Sequence, residues 1–433
     1  MEVTINILLL IFFIFLPPTL SKGERYNVIN FGAKPNSETD SSDAISSAWK
    51  AACHVATNSL VPPTIYVPKG RYLIGNALVF SGHNCKPILK NKGIILRIEG
   101  TLVAPVDYMV LGNAMNWLSF ESVAGVTISG GSLDGQGTSL WACKANGNSN
   151  CPTGTTNLAF KNSKDILDNL FFWQNLAFKN SKDIIINGLR SLNSQLFHIV
   201  INGCDNVQVQ GLKILALGKS PNTDGIHVQQ SNNVVIRHSK IGTGDDCVSI
   251  GAGTINLMIY NVICGPGHGI SIGSLAKNLN EPGVQNVTVA DVVFKGTQNG
   301  VRIKSWGRPS NGFVKNVLFK GITMNHVQNP IIIDQNYCPN NRDCPGQVSG
   351  IKISDIIYED IHGSSATEVA VKFDCSPKYR CTNIKMANVK LTYKKQLATS
   401  SCSNAGGTVT GIVEPTSCII ETTKLKFTGN NSL

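Results

Sequence analysis

Acidic side chains are scarce in this chain, and the motifs of several common protein classes are missing. Its 433 residues include 27 aspartates and glutamates against 38 lysines and arginines, a formal net charge of +11. Such a charge attracts polyanions, or it serves only to keep the surface soluble. The sequence has no helix-turn-helix pattern, no zinc finger and no aromatic-rich RNA-binding signature, so we expect no nucleic acid as a partner.

Long hydrophobic runs are missing beyond the N-terminus. An apolar run over residues 5–15 is followed by Pro17-Pro18 and small residues near Ser21. This pattern predicts a secretory signal peptide over residues 1–22, although Glu2 is an unusual charge for such a start. The run is too short to span a bilayer, and no later stretch has that length. We expect a secreted protein with one domain over residues 23–433, and secretion favours an acidic polysaccharide as the polyanionic partner.

Zinc-site spacing is also missing among the 13 cysteines, so we expect no structural metal. Most of the cysteines fall in near pairs, which is typical of disulfides formed in an oxidising compartment. Cys204 is left over, and we expect it to be a buried, inert thiol. The pairs are Cys53 with Cys85, Cys143 with Cys151, Cys247 with Cys264, Cys338 with Cys344, Cys375 with Cys381, and Cys402 with Cys418.

Runs with helical periodicity are few, whereas short β-rich segments recur throughout the chain. From Ile184 onward they follow at intervals of roughly 23 to 34 residues, as in a solenoid with one coil per repeat. With 41 glycines, this pattern predicts an all-β fold, a right-handed single-stranded parallel β-helix of about ten coils. A β-sandwich or propeller is the alternative. The segments begin at Val126, Ile184, Val207, Val234, Leu257, Val287, Val317, Ile351 and Ile384.

Two local features complete the architecture. Ile45, Ala48, Trp49 and Ala52 have helical spacing after possible capping residues, which predicts an N-terminal helix that covers the open end of the coils. Asparagines at the corners are expected to stack as amide ladders and to adopt tight left-handed turns.

A ten-residue segment, 157–166, is repeated without change at 175–184. The offset is shorter than one coil, so we interpret 157–174 as a surplus copy or an error in the coding sequence. We expect that deletion of these residues would preserve or improve activity. Loss of activity in a well-folded deletion variant would show that the segment is needed.

Three motifs lie about one repeat apart: Asn222-Thr223-Asp224, Gly244-Asp245-Asp246-Cys247 and Gly267-His268-Gly269. Neighbouring coils of a parallel β-helix are about 4.8 Å apart, so Asp224, Asp246 and His268, which are equally spaced, should become neighbours. Carboxyl groups in one pocket repel each other, and at least one pKa rises, as a general acid requires. In glycoside hydrolysis one carboxylic acid protonates the leaving oxygen and another carboxylate activates water or attacks directly.

Further residues complete the predicted cleft. His268, between two glycines, fits a proton network or a substrate contact. Arg302 and Lys304 lie two residues apart in a strand and so point the same way, where they could bind a substrate carboxylate. Tyr337 could supply a ring or a hydroxyl group in the next coil.

With these motifs, the chain resembles the plant polygalacturonases of glycoside hydrolase family 28. The resemblance rests on N-T-D, G-D-D-C, C-G-P-G-H-G-I-S-I-G-S and R-I-K, and it runs from about Tyr26 to the C-terminal cysteines. It implies a right-handed parallel β-helix that hydrolyses homogalacturonan in pectin with inversion, and carboxyl groups about 6.5 to 9.5 Å apart. It also implies an extracellular location in the cell wall.

By position, the resemblance makes Asp245 the general acid and assigns the activation of water to Asp224 and Asp246. His268 would support the proton network. Asn222, Arg302, Lys304 and Tyr337 would bind the sugar, and no cofactor is implied. We expect a monomer.

Three alternatives stay open at this point. A pectate lyase shares the fold and the polymer but needs calcium and a basic residue. A rhamnogalacturonan hydrolase is closer in class, but Arg302 and Lys304 suggest a uronate at the cleaved position. A non-catalytic pectin-binding β-helix would tolerate Asp245→Asn. Internal cleavage is expected over release of terminal sugars. The sequons at Asn286 and Asn430 permit glycosylation.

Overall fold

The computed structural model describes residues 23–83, 85, 93–112, 114–161 and 181–421. The expected signal peptide, the sequon at Asn430 and much of the duplicated region lie outside these residues. The described chain winds into a right-handed parallel β-helix, which confirms the predicted fold class. In its described part, no helix has both the length and the apolar character needed to cross a membrane.

The described helices are short compared with the strands and lie mostly in the first third of the chain. They are α1 (Ser42–Ala56), α2 (Tyr108–Leu111) and α3 (Thr138–Ala145), with 3-10 turns at Val28–Phe31 and Pro339–Asn341.

The strands, in chain order, are β1 (Arg25–Asn27), β2 (Asn36–Asp40), β3 (Thr64–Val67), β4 (Arg71–Leu73), β5 (Leu78–Ser81), β6 (Ile95–Ile98), β7 (Thr101–Val103), β8 (Asn116–Glu121), β9 (Thr127–Ser129), β10 (Ser132–Asp134), β11 (Thr156–Lys161), β12 (Ser181–Asn187), β13 (Arg190–Leu192), β14 (Ile199–Asn202), β15 (Cys204–Gln210), β16 (Lys213–Leu215), β17 (Ile226–Gln229), β18 (Asn232–Gly242), β19 (Val248–Ile250), β20 (Ile255–Cys264), β21 (Ile270–Leu275), β22 (Val284–Ala290), β23 (Val293–Lys295), β24 (Asn299–Trp306), β25 (Phe313–Val327), β26 (Asn329–Tyr337), β27 (Lys352–Ser365), β28 (Val369–Asp374), β29 (Cys381–Tyr393), β30 (Gln396–Leu397), β31 (Thr399–Ser403), β32 (Ala405–Glu414) and β33 (Ile420–Glu421).

The strands form two sheets that enclose the core. One sheet of the described chain has 11 strands, β5, β8, β11, β14, β17, β19, β21, β24, β26, β28 and β31, and the remaining paired strands form the other sheet. Alternate residues point inward, so each coil adds aliphatic side chains to columns that run along the helix axis. In one such column Val207, Val234, Leu257 and Val287 pair in succession, and all four are buried.

One repeat position predicted from the sequence is wrong. Ile351 was expected to follow Val317 in this column, but Ile356 pairs with Val317 and then with Ile384. Ile351 and Ile353 are also buried and alternate in the same way, so apolar periodicity could not separate the two registers. The left-handed residue does separate them, because Asp355 (φ 59) comes just before Ile356.

The expected asparagine ladder is present on the outer side of the coils. Asn256, Asn286 and Asn316 all have left-handed backbones, with φ between 54 and 57. Asn286 Nδ2 donates to Asn256 Oδ1 at 3.0 Å, and Asn316 Nδ2 donates to Asn286 Oδ1 at 3.2 Å. The ladder therefore stabilises a corner that a residue with an ordinary side chain rarely adopts. Asn286 is the asparagine of the first glycosylation sequon, and both its Nδ2 and its Oδ1 form hydrogen bonds in this ladder.

Helix α1 covers the N-terminal end of the coils, as predicted. Its four periodic residues, Ile45, Ala48, Trp49 and Ala52, are buried. The Trp49 ring lies 5.1 Å from the Phe80 ring, and its indole N–H donates to the Ser81 carbonyl at 3.2 Å. A solenoid needs such a cover because its end coil otherwise exposes apolar side chains and strand edges.

All six expected cysteine pairs form disulfides, and Cys204, which is buried, takes part in none of the six.

The duplicated segment is divided between two strands. Residues 157–161 of the first copy belong to β11, and residues 181–184 of the second copy begin β12. The first copy is therefore not wholly surplus, because its first half forms a strand of the 11-stranded sheet. Removal of 162–179 and removal of 157–174 yield the same sequence, so the expected effect of the deletion is unchanged.

Candidate active site

The three motifs converge on the outer face of the 11-stranded sheet. Strands β17, β19 and β21 pair in parallel and in register, each with its first residue opposite the first residue of the next. Asp224, Asp246 and His268 each lie two residues before one of these strands. They therefore occupy matching positions in three consecutive coils.

The loops that carry the acids are fixed by short polar contacts. Thr223 Oγ1 lies 2.7 Å from Ser220 Oγ and accepts a hydrogen bond from the Gly244 N–H at 3.0 Å. A Cβ atom at Gly244 would lie 2.1 Å from the Ser220 carbonyl oxygen, so this approach requires glycine. The Gly225 N–H donates to the Asp246 carbonyl at 2.9 Å and connects the two acidic motifs.

Asp246 is held by two cations in the interior of the site. Its Oδ2 lies 2.9 Å from Lys304 Nζ, and its Oδ1 accepts from Arg302 Nη2 at 2.8 Å and from Ser271 Oγ at 2.8 Å. The Asp246 side chain is 1% exposed, and those of both cations are 9% exposed. Burial by itself would raise the pKa of Asp246, but Lys304 and Arg302 hold that pKa below its usual value. Asp246 is therefore ionised.

Asp245 faces the solvent side of the same pocket. Its Oδ1 lies 3.0 Å from His268 Nδ1 and also accepts from the Asp246 N–H at 2.8 Å. Its side chain is 18% exposed, and the His268 side chain is 37% exposed. Asn222 lies at the edge, with Nδ2 3.5 Å from Asp245 Oδ2. Asp245 is thus the carboxyl group of this pair that a ligand can reach.

Asp224 has the opposite electrostatic environment to Asp246. It is buried, and burial, followed by the charges of Asp245 and Asp246, raises its pKa well above the usual value. The Ser249 hydroxyl, which hydrogen-bonds to the carboxyl group, opposes this shift only in part. The site therefore combines one acid that is firmly ionised with one that retains a proton to higher pH.

Tyr337 lies beside the two cations. The centre of its ring is 5.2 Å from Lys304 Nζ and 5.9 Å from Arg302 Cζ. The Trp306 ring packs against it at 5.2 Å in an edge-to-face arrangement. The site thus has an aromatic wall on the side of the later coils, suited to the face of a sugar ring.

Several contributing residues were missed by sequence reasoning. Ser249 and Ser271 lie opposite each other in the register of β19 and β21 and contact Asp224 and Asp246, respectively. Trp306 continues the alternation of Arg302 and Lys304 along β24. That alternation was a usable signal for Trp306, whereas serines in strands gave no signal without the register.

Asp245, Asp246 and His268 also offer one possible metal ligand each, with the ligand atoms within 4.8 Å of one another. Asp245 and Asp246 thus bring two carboxylate oxygens closer together than the expected separation of about 6.5 to 9.5 Å between carboxyl groups. Both oxygens of Asp246 already contact a cation. A divalent ion there would be repelled by Arg302 and Lys304, so the arrangement favours a proton-transfer site over a metal site.

The chain is similar to known proteins over most of its length. The sequence model of the glycosyl hydrolases family 28 matches residues 57–418. A polygalacturonase of Prunus persica is 58% identical over 410 residues, which cover 95% of this chain and 97% of that protein. An exopolygalacturonase of Platanus acerifolia is 40% identical over 395 residues, or 90% of this chain and 97% of that one.

The fold also matches a solved structure. An endo-xylogalacturonan hydrolase of Aspergillus tubingensis superposes with a TM-score of 0.71, covering 90% of this chain and 99% of that chain, at 21% identity. At this identity the likeness concerns the coil architecture alone.

Proposed function

This chain belongs to family 28 of the glycosyl hydrolases, and we propose that it hydrolyses the α-1,4-galacturonosyl bonds of homogalacturonan in pectin. The observation that carries this function is the carboxyl cluster, in which exposed Asp245 contacts His268 while buried Asp246 is paired with Arg302 and Lys304. Hydrolysis of a glycoside needs a proton donor that reaches the leaving oxygen and a second carboxylate for water. A binding module has no need of such a division.

Each acid receives a role from its environment. Asp245, the accessible carboxyl group, donates a proton to the glycosidic oxygen. Asp224 and Asp246 hold the attacking water. Asp224, once it has lost its proton, is the stronger base because its pKa is raised, and Asp246 is a fixed negative charge. The raised pKa thus belongs to the base Asp224, and accessibility makes Asp245 the proton donor. His268 completes the proton network through Asp245 Oδ1. Attack by water on the face opposite the leaving group inverts the anomeric carbon.

The substrate carboxylate is recognised by the same cations that hold Asp246. Two positive charges face one negative charge, so the group retains a net positive charge that favours a uronate over a neutral sugar. Tyr337 and Asn222 flank the bound sugar. The two cations therefore have a double role, in which they keep Asp246 ionised and select galacturonate.

We further propose internal cleavage and a secreted, monomeric enzyme of the cell wall. The relative at 58% identity is named a polygalacturonase and the relative at 40% an exopolygalacturonase, and the sizes of the products decide between the two modes of cleavage. Six disulfides support passage through an oxidising compartment.

Product analysis tests the proposal. The purified protein is incubated with de-esterified homogalacturonan, the products are sized, and the anomeric proton is followed by NMR. We expect a range of oligomers early in the reaction and initial release of the inverted anomer. Single galacturonate units from the start would show exo action. Unsaturated, ultraviolet-absorbing products that disappear with a calcium chelator would show a lyase, and intact polymer would refute hydrolysis.

A further inference from the structure

A second cluster of cations lies beside the catalytic centre, at a cavity that the mechanism does not use. The cavity has a volume of about 470 Å³, and its lining includes Lys277, Asn278, Arg308 and Gln347. Its size lies within the range of small-molecule sites, which is roughly 300 to 1,000 Å³. Lys277 and Arg308 are exposed, and in the described part of the chain neither belongs to an ion pair.

The cavity is formed by the loops that follow β21, β24 and β26, which are three consecutive strands of the 11-stranded sheet. These loops are joined by backbone hydrogen bonds. The Gly350 N–H donates to the Arg308 carbonyl at 2.9 Å, and the Asn311 N–H donates to the Leu279 carbonyl at 2.7 Å. The Cys338–Cys344 disulfide closes the third loop. The walls of the cavity are therefore held in place before any ligand binds.

A continuous row of side chains leads from the catalytic centre to this cavity. Lys304, which contacts Asp246, lies 5.2 Å from the Tyr337 ring, and that ring packs on Trp306. The Arg308 guanidinium carbon lies 5.3 Å from the centre of the Trp306 ring. The row alternates cation, aromatic pair and cation, a pattern suited to a polymer with one carboxylate per sugar.

The acid near the cavity offsets only part of its charge. Glu281, four residues after Lys277, points its carboxylate at the backbone N–H of Ala276. Burial raises the pKa of Glu281, and the Ala276 N–H and the charge of Lys277 oppose this shift only in part. The acid is therefore directed at the loop backbone, and Lys277 and Arg308 face the opening with amides from Asn278 and Gln347 between apolar Leu279 and prolines.

We propose that this cavity is a distal subsite that binds the carboxylate of a second galacturonate unit, on the side of the scissile bond where Arg302 and Lys304 lie. The inference rests on the proposed function, because it assigns a further part of the same substrate. Lys277 and Arg308 bind the carboxylate, the two amides bind hydroxyl groups, and Trp306 supports the intervening sugar. Chains too short to reach the cavity gain nothing from it.

The test compares oligomer lengths in binding and in cleavage. Trimer and hexamer of galacturonate are titrated by calorimetry into Asp245→Asn protein with and without the Lys277→Gln and Arg308→Gln changes. In the cleavage-competent protein, kcat/KM is measured for both lengths. We expect the double change to lower the hexamer-to-trimer ratio about tenfold in each assay, as the loss of a charge-assisted contact does.

The matched control is Arg25→Gln, which removes another arginine stacked on an aromatic ring, 3.5 Å from the Tyr66 ring centre and in the other sheet. It should leave the ratio unaltered. Equal weakening of trimer and hexamer by the double change, or no weakening, overturns the subsite while the hydrolase function stands. An unmodified protein that neither binds nor cleaves the hexamer overturns both proposals.

Discussion

Lys304 Nζ lies 2.9 Å from Asp246 Oδ2, and both side chains are buried. Because burial disfavours an isolated charge of either sign, each group is stable here only as an ion in the presence of the other. Arg302 adds a second positive charge beside Asp246, and the pKa of Asp246 is therefore lowered in a place where burial would otherwise raise it. The same contact therefore affects both the stability of the fold and the ionised state of Asp246 that the proposed mechanism needs.

Lys304→Met should weaken both properties. Above the unfolded pKa of about 4 the parent gains stability from ionised Asp246, and this gain is lost as the pH falls through its lowered folded pKa. Without Lys304 that pKa rises, so the acid limb of kcat/KM should move to higher pH. The free energy of unfolding near neutral pH should fall by about 3 kcal/mol. Urea unfolding and a pH–rate profile measure the two effects. Lys304→Arg should restore part of both, and an unshifted acid limb would contradict the ionic role.

Asp245→Asn should remove the proton donor without loss of the fold. We expect hydrolysis of de-esterified homogalacturonan to fall about 100- to 10,000-fold, measured by release of reducing ends. Asp107→Asn is the matched control, because Asp107 is an exposed helix cap that accepts from the Met109 N–H, and asparagine can cap as well. Full activity in the Asp245 variant, with an unchanged melting temperature, would favour a binding module.

Asp224→Asn should inactivate the enzyme but stabilise it. The raised pKa of Asp224 means that the folded protein binds this proton more tightly than the unfolded chain does. The buried charge therefore lowers the free energy of unfolding above the unfolded pKa, with its full effect only above the folded pKa. Asparagine removes the charge, so the melting temperature should rise by a few degrees near neutral pH and hardly change below about pH 3. An equal change at both pH values would exclude this explanation.

The asparagine ladder should contribute measurably to stability. Asn256→Ala places an ordinary side chain at φ 55 and removes a rung, so the free energy of unfolding should fall by about 2 kcal/mol. Asn256→Gly removes the same amide but accepts the left-handed backbone, and it should be less destabilising. Urea denaturation of the two variants separates the contributions. If glycine proves as harmful as alanine, backbone conformation is not the cause.

Much of the fold could be predicted because a solenoid repeats its physical requirements along the chain. Apolar alternation located most coils, and near pairs of cysteines located the disulfides. The predicted register is wrong at Ile351, because the spacing of Ile351 and Ile353 satisfies the same apolar alternation as the strand residues that follow. An Asp or Asn with a left-handed backbone just before the buried residue marks the correct register, as Asp355 shows.

The sequence by itself determined which chemical groups line the cleft, because equal spacing along the chain becomes adjacency when each coil adds the same short rise. Only the tertiary structure decided which acid is which. Asp245 and Asp246 are neighbours in sequence, yet one faces solvent and His268 while the other is buried between Arg302 and Lys304. Electrostatic environment depends on burial and on charges from distant coils, and it cannot be read from local sequence.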